Sequence, residues 1–96
     1  MVIKVDYIRV NSFLSEMMKL TEEVMREFER MDEVVEDFSI FWDSEASGEY
    51  GMRIYTDLYN AKAVIQKIQY NIRMIGAVLR KFDDAEKKIG NLVDGI

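Results

Sequence analysis

The chain predicts an all-α fold: an antiparallel hairpin of two helices that pairs with a second hairpin into a four-helix-bundle dimer. Three observations predict it. First, stepping back from Trp42 by alternating fours and threes gives Phe38, Val35, Met31, Phe28, Val24, Thr21, Met17, Leu14, Val10, Tyr7 and Ile3, with Thr21 the one member neither apolar nor aromatic. Second, the same repeat resumes after a gap as Ile54, Leu58, Ala61, Ile65, Ile68, Ile72, Ile75, Leu79, Phe82, Glu86, Ile89, Val93 and Ile96. A three-four repeat this long marks helices packed along a seam. Third, the 96 residues hold no proline and only five glycines, so little interrupts either helix.

Each element follows in order. Met1 to Val5 alternates apolar and polar residues ahead of the first helix. Asp6 offers a carboxylate to free backbone N–H groups at the helix start, and Asn11 or Ser12 is an alternative cap. The first helix spans about 7–41. Phe13, Leu20, Val34 and Phe41 flank one side of its seam, and Met18 and Met25 the other. Glu22, Glu23, Arg26, Glu29, Arg30, Glu33 and Glu36 fill the opposite face as a solvated surface. The turn, 42–46, carries small and polar residues suited to caps, with Ser44 and Ser47 three apart. The second helix spans about 46–89, and Gly90 ends or loosens it before a tail at 90–96. Gly48, Gly51 and Gly76 allow close approach between helices.

With a turn centred at Ser44, Tyr7 lies opposite about Lys81, and everything from Phe82 onward overhangs the first helix. Two helices alone cannot cover apolar faces this wide. Leaving Phe13, Leu20, Val34, Val64, Val78 and Leu92 wet forfeits on the order of 1.5–3 kcal/mol for each large side chain. That deficit is the reason to expect a dimer, homotypic or with a related helical protein. The expected helix interface is Leu14, Met17, Val24, Phe28, Met31, Val35 and Phe38 with Ile54, Leu58, Ile65, Ile68, Ile72, Ile75 and Leu79.

Composition bounds the chemistry. One domain, 1–96, holds 49% hydrophobic residues, enough for a core and against disorder. Without cysteine there is no disulfide or thiolate metal site, and without histidine the usual general base, metal ligand and pH switch are missing. The glutamates lie on the polar face, and a continuous seam leaves no obvious cavity, so no enzyme, metal or cofactor is expected. The methionines, with Met17, Met18 and Met25 clustered, read as core fill or as an adaptable groove for a partner helix.

A net charge of −5 argues against a nucleic-acid surface and against anionic lipid. Residues 1–41 carry ten acids against five bases, and residues 61–96 seven bases against four acids, so folding back sets opposite signs side by side. No segment reaches the roughly 18 apolar residues of a membrane span. The N-terminus lacks the long apolar region of a cleaved signal peptide.

The sequence around the turn, Trp42-Asp43-Ser44-Glu45-Ala46-Ser47-Gly48-Glu49-Tyr50, resembles the WXG-motif family of small type VII secretion proteins. The resemblance covers nearly the whole chain: about a hundred residues, two long helices and a tryptophan opening the central turn. Trp42, Ala46 and Tyr50 fit the family pattern, and Ser44 stands where glycine is usual. The resemblance implies a protein exported without a cleaved signal peptide as a folded dimer, cytoplasmic before export and secreted or surface-located after it. It implies a type VII secretion ATPase as a partner. For relatives that accompany LXG toxins, the toxin's N-terminal helices are a further partner. It also implies an export signal of an aromatic residue and an acid four positions on, met here by Phe82 and Glu86. Phe28 with Asp32 and Phe41 with Glu45 have the same spacing, and position in the expected overhang is what singles out Phe82 and Glu86. From the residues alone, Trp42 reads as a bulky cap on the core where the helices reverse, and Tyr50 as core. A coiled-coil adaptor with no export role is the alternative from a different class.

Overall fold

Asp6 opens the first helix. Its carboxylate accepts from the Arg9 backbone N–H at 3.1 Å, which satisfies one of the free donors at the helix start. A computed structural model describes residues 5–42 and 44–94, with Ser39 and the last four described by backbone alone. Helix α1 runs Tyr7–Phe41 and α2 runs Glu45–Asp94, and the two pack antiparallel as a hairpin. No strand occurs among the described residues.

The second helix starts on a reciprocal cap. The Ser47 N–H donates to Ser44 Oγ at 3.2 Å, and the Ser44 N–H donates to Ser47 Oγ at 3.1 Å. This is the capping-box arrangement with serine in the place of the usual glutamate. It also explains why α2 begins at Glu45, one residue before the expected start. At the other end the sequence expectation fails. α2 passes through Gly90 and continues to Asp94, so the tail predicted from Gly90 is helical as far as it is described. A glycine costs only about 1 kcal/mol inside a helix. The preceding Ala85 to Lys88 are mostly good helix formers, and Asp83 pairs with Lys87 one turn on at 3.0 Å. None of Gly48, Gly51 and Gly76 is required by a close approach within the chain. A Cβ at Gly76 would meet Leu14 Cδ1 at an ordinary 3.8 Å, and nothing lies within 4 Å at the other two.

Register is set by polar links across the seam. Thr21 is the residue that broke the apolar repeat, yet it is buried. Its hydroxyl donates to the Met18 carbonyl at 2.6 Å and accepts from Gln69 Nε2 at 3.1 Å. Further along, Lys62 donates to Asp32 in a half-buried ion pair. Thr21 and Gln69 average to position 45, and Asp32 and Lys62 to position 47, so the reversal centres later than Ser44. Each residue of delay advances the facing residue by two. Tyr7 therefore lies beside Asp83 and Glu86 rather than opposite Lys81. The overhang begins beyond Glu86, so Phe82 and Glu86 lie against the start of α1, a correction to the expected position.

Candidate functional site

The hairpin buries little of its own apolar surface. Among the described residues the buried hydrophobic side chains are Leu14, Leu58 and Ile72, and no large one is fully enclosed. Of the expected interface, Met17, Phe28, Val35, Ile65, Ile68 and Leu79 are half-buried. Val24, Met31, Phe38, Ile54 and Ile75 are exposed. The total accessible surface is 8243 Å². A compact protein of 11.3 kDa would expose about 5,700 Å². The excess is a property of shape: the molecule measures 78 × 19 × 17 Å.

Many of the exposed apolar side chains line up, although others, among them Ile8 and Tyr59, lie on the other side of the hairpin. On α1, Phe13, Leu20, Val24, Met31, Val34 and Phe38 lie about a quarter-turn before the buried line of Leu14 and Thr21. On α2, Val64, Ile75, Val78, Phe82 and Ile89 lie about a quarter-turn before Leu58 and Ile72. Because the helices run in opposite directions, equal offsets of the same sign fall on the same side of the hairpin. The two stripes therefore form one apolar face. A groove of about 340 Å³ crosses it between the helices, lined by Met31, Val34, Val35, Ile54 and Leu58 among others.

Aromatic rings close this face at the turn. Phe38 meets Trp42 edge-on, with centroids 5.3 Å apart, and Trp42 stacks on Tyr50 at 6.4 Å. The Arg53 guanidinium stands over the Tyr50 ring at 5.9 Å. Backbone geometry holds Trp42 in place, since its N–H donates to the Phe38 carbonyl at 3.1 Å. Trp42 thus bridges the two helices while 40% exposed, and Tyr50, expected in the core, is 55% exposed. The reason is that the rings face outward along the apolar face, where the chain supplies nothing to cover them. Ser44, the third turn residue singled out from the sequence, is the α2 cap.

The far end is closed by Tyr7. Its hydroxyl is shielded from water by its neighbours yet has no partner at normal hydrogen-bond geometry. Desolvation first, then the nearby Glu86 carboxylate and that of Asp83, raise its pKa above the usual tyrosine value. Glu86, read as the one charge on the second seam, is exposed, so its placement carries little desolvation cost. Phe82 is 60% exposed on the apolar face. Phe82 and Glu86 are thus both accessible, one helical turn apart.

Sequence reasoning missed the Thr21–Gln69 clasp and the Asp32–Lys62 pair. Thr21 was visible as the lone polar member of the first seam. Its partner, 48 positions away, could be found only once the register was known. Among the described residues no group of acids is arranged to hold a metal ion, and no helix is long and apolar enough to cross a membrane. Comparison with protein-family models, with curated proteins and with solved structures gives no match, so the reading of this face rests on the chain's own residues.

Proposed function

We propose that this chain is a WXG-type hairpin, a small type VII secretion substrate or effector that acts by protein–protein binding and is exported as a folded dimer. The observation that carries the reading is the single apolar face, running the length of the hairpin and ending at the Trp42 rings. A second hairpin, homotypic or related, covers that face and completes a four-helix bundle. The excess of about 2,500 Å² per chain over a compact monomer amounts to about 5,000 Å² for two chains, at the upper end of what obligate dimer interfaces bury in total. Phe82 and Glu86 form the export signal read by the secretion ATPase, with an aromatic anchor beside a carboxylate suited to a pocket holding a basic residue.

Ser44 in place of glycine and a phenylalanine in the signal favour a second reading. In it the hairpin escorts a larger LXG-type toxin whose N-terminal helices occupy the same apolar face. Both readings place the protein in the medium or at the cell surface.

The test is the ratio of protein in medium to protein in cells, for wild type and a Phe82→Ala/Glu86→Ala variant in the native host, with a cytosolic marker for lysis. Circular dichroism and sedimentation confirm that the variant folds and pairs. Export of wild type with retention of the folded variant supports the proposal. Wild type held inside the cells alongside an active secretion system would overturn it in favour of an intracellular coiled-coil adaptor.

A further inference from the structure

On the side of the hairpin away from the apolar face, a groove of about 510 Å³ lies at the open end. Leu14, Ile72 and Gly76 form its floor, Asn11 and Ser15 line it from α1, and Arg73 and Arg80 line it from α2. Both arginines are exposed without a carboxylate partner, whereas Arg9, Arg30, Arg53, Lys62 and Lys87 each have one. The sequence explains the difference. Residues 58–82 of α2 carry five cations and no acid, and residues 7–15 of α1 carry no acid. Of the acids that bound these stretches, Asp6 pairs with Arg9 and Asp83 with Lys87. Glu16 lies nearly half a turn from Leu14 and so faces away from the groove. Asp84 stands at its end, one turn beyond Arg80. Nearer the turn this side carries both signs, with Arg26 among Glu22, Glu29 and Glu33, so the unbalanced positive charge is confined to the open end.

We infer that this groove binds an extended acidic segment of a partner protein. Arg73 and Arg80 are seven residues apart, about 10 Å along the helix. Gly76 and Ala77 between them bear too little side chain to fill the gap. A peptide in the polyproline II conformation presents every third side chain on one side, about 9 Å apart. A Glu-x-x-Glu spacing therefore sets one carboxylate against each guanidinium. Asn11 and Ser15 offer amide and hydroxyl groups to the segment's backbone from the other wall. The net charge of −5 disfavours larger anionic occupants. A nucleic acid or an anionic bilayer would extend past the groove onto the acidic remainder of α1 and be repelled there, whereas a short segment meets only the unbalanced cations. A hairpin docked on the apolar face leaves this groove open, and the inference does not depend on export.

Fluorescence anisotropy of a fluorescein-labelled hexaglutamate at low salt tests the inference, with labelled hexaglutamine as the control. The expected result is saturable binding of hexaglutamate alone. Arg73→Gln/Arg80→Gln should weaken it about tenfold while keeping its helical signal. Asn11→Asp, which sets a carboxylate beside the arginines without removing them, should weaken it as well. Lys67→Gln/Lys81→Gln removes the same charge from outside the groove and should change the affinity by less than about twofold. Absence of hexaglutamate binding by wild type overturns the inference. An equal loss in the lysine variant overturns it too, since general surface charge would then hold the peptide, and unaltered binding by Asn11→Asp would place the peptide elsewhere. If wild type binds phosphatidylserine vesicles but not hexaglutamate, the groove serves an anionic lipid surface and the peptide assignment is wrong.

Discussion

The two ends of the hairpin are built differently. At the turn, a reciprocal serine cap starts α2, a backbone bond and an edge-on ring contact tie Trp42 to Phe38 at the end of α1, and the Trp42–Tyr50 stack links the two helices. At the open end a single tyrosine reaches across, with a hydroxyl that finds no partner and two carboxylates beside it. Between them, Thr21–Gln69 and Asp32–Lys62 fix the register. The contrast teaches that this hairpin is secured from the turn outward. Its open end, where Phe82 and Glu86 sit, is the region with least to lose by rearranging.

Trp42→Ala is the strongest way to break that contrast. A buried tryptophan costs roughly 3–5 kcal/mol when truncated. Trp42 is 40% exposed, so a loss of about 2 kcal/mol is expected, or a fall in Tm on the order of 10 °C at fixed protein concentration. Thermal melts followed by circular dichroism measure it, and an unchanged Tm would mean that the rings do not secure the turn.

Ser44→Ala should cost about 1 kcal/mol by removing the acceptor for the Ser47 N–H. Ser44→Gly should cost only a few tenths of a kcal/mol. Denaturant midpoints of the three proteins decide the matter. Equal losses for alanine and glycine would show that the serine side chain acts through something other than the cap.

Tyr7→Phe should have the smallest effect at neutral pH, because the ring is kept and no hydrogen bond is lost. Its signature is at high pH. A raised pKa means that the folded chain holds the phenolic proton more tightly than the unfolded one. The resulting stability is present below the ordinary tyrosine value of 10.0 and is lost as pH rises through the higher folded value. Tyr7→Phe should therefore lose less stability than wild type above about pH 10. Identical alkaline profiles would count against a shielded Tyr7.

Much of this was legible in the sequence, and the reason is periodicity. The heptad repeats fix which side of each helix faces inward, and Phe13, Leu20 and Val34 already stood out as a flank that two helices could not cover. Register was not legible. It depends on how many residues the reversal consumes, and that was decided by Ser47 folding back onto Ser44. An error of one to three residues there moved Phe82 and Glu86 from an expected overhang to the side of Tyr7. The environment of Tyr50 was misjudged for a different reason. An aromatic in an apolar pattern reads as core, but the pattern does not say whether the same chain supplies the other half of that core. The same holds for Val24, Met31 and Ile75, which keep the seam's spacing and remain exposed.

The slender outline has a consequence for passage through narrow openings. A body 78 Å long and no more than 19 Å across can travel end-on through any aperture slightly wider than two helices, with every backbone hydrogen bond intact. Laying a second hairpin on its apolar face adds roughly one helix layer, about 10 Å, to one cross dimension alone. The smallest opening that admits the pair is therefore a slot rather than a circle, and a conduit of fixed calibre would sort single hairpins from pairs by width, without reading a single side chain.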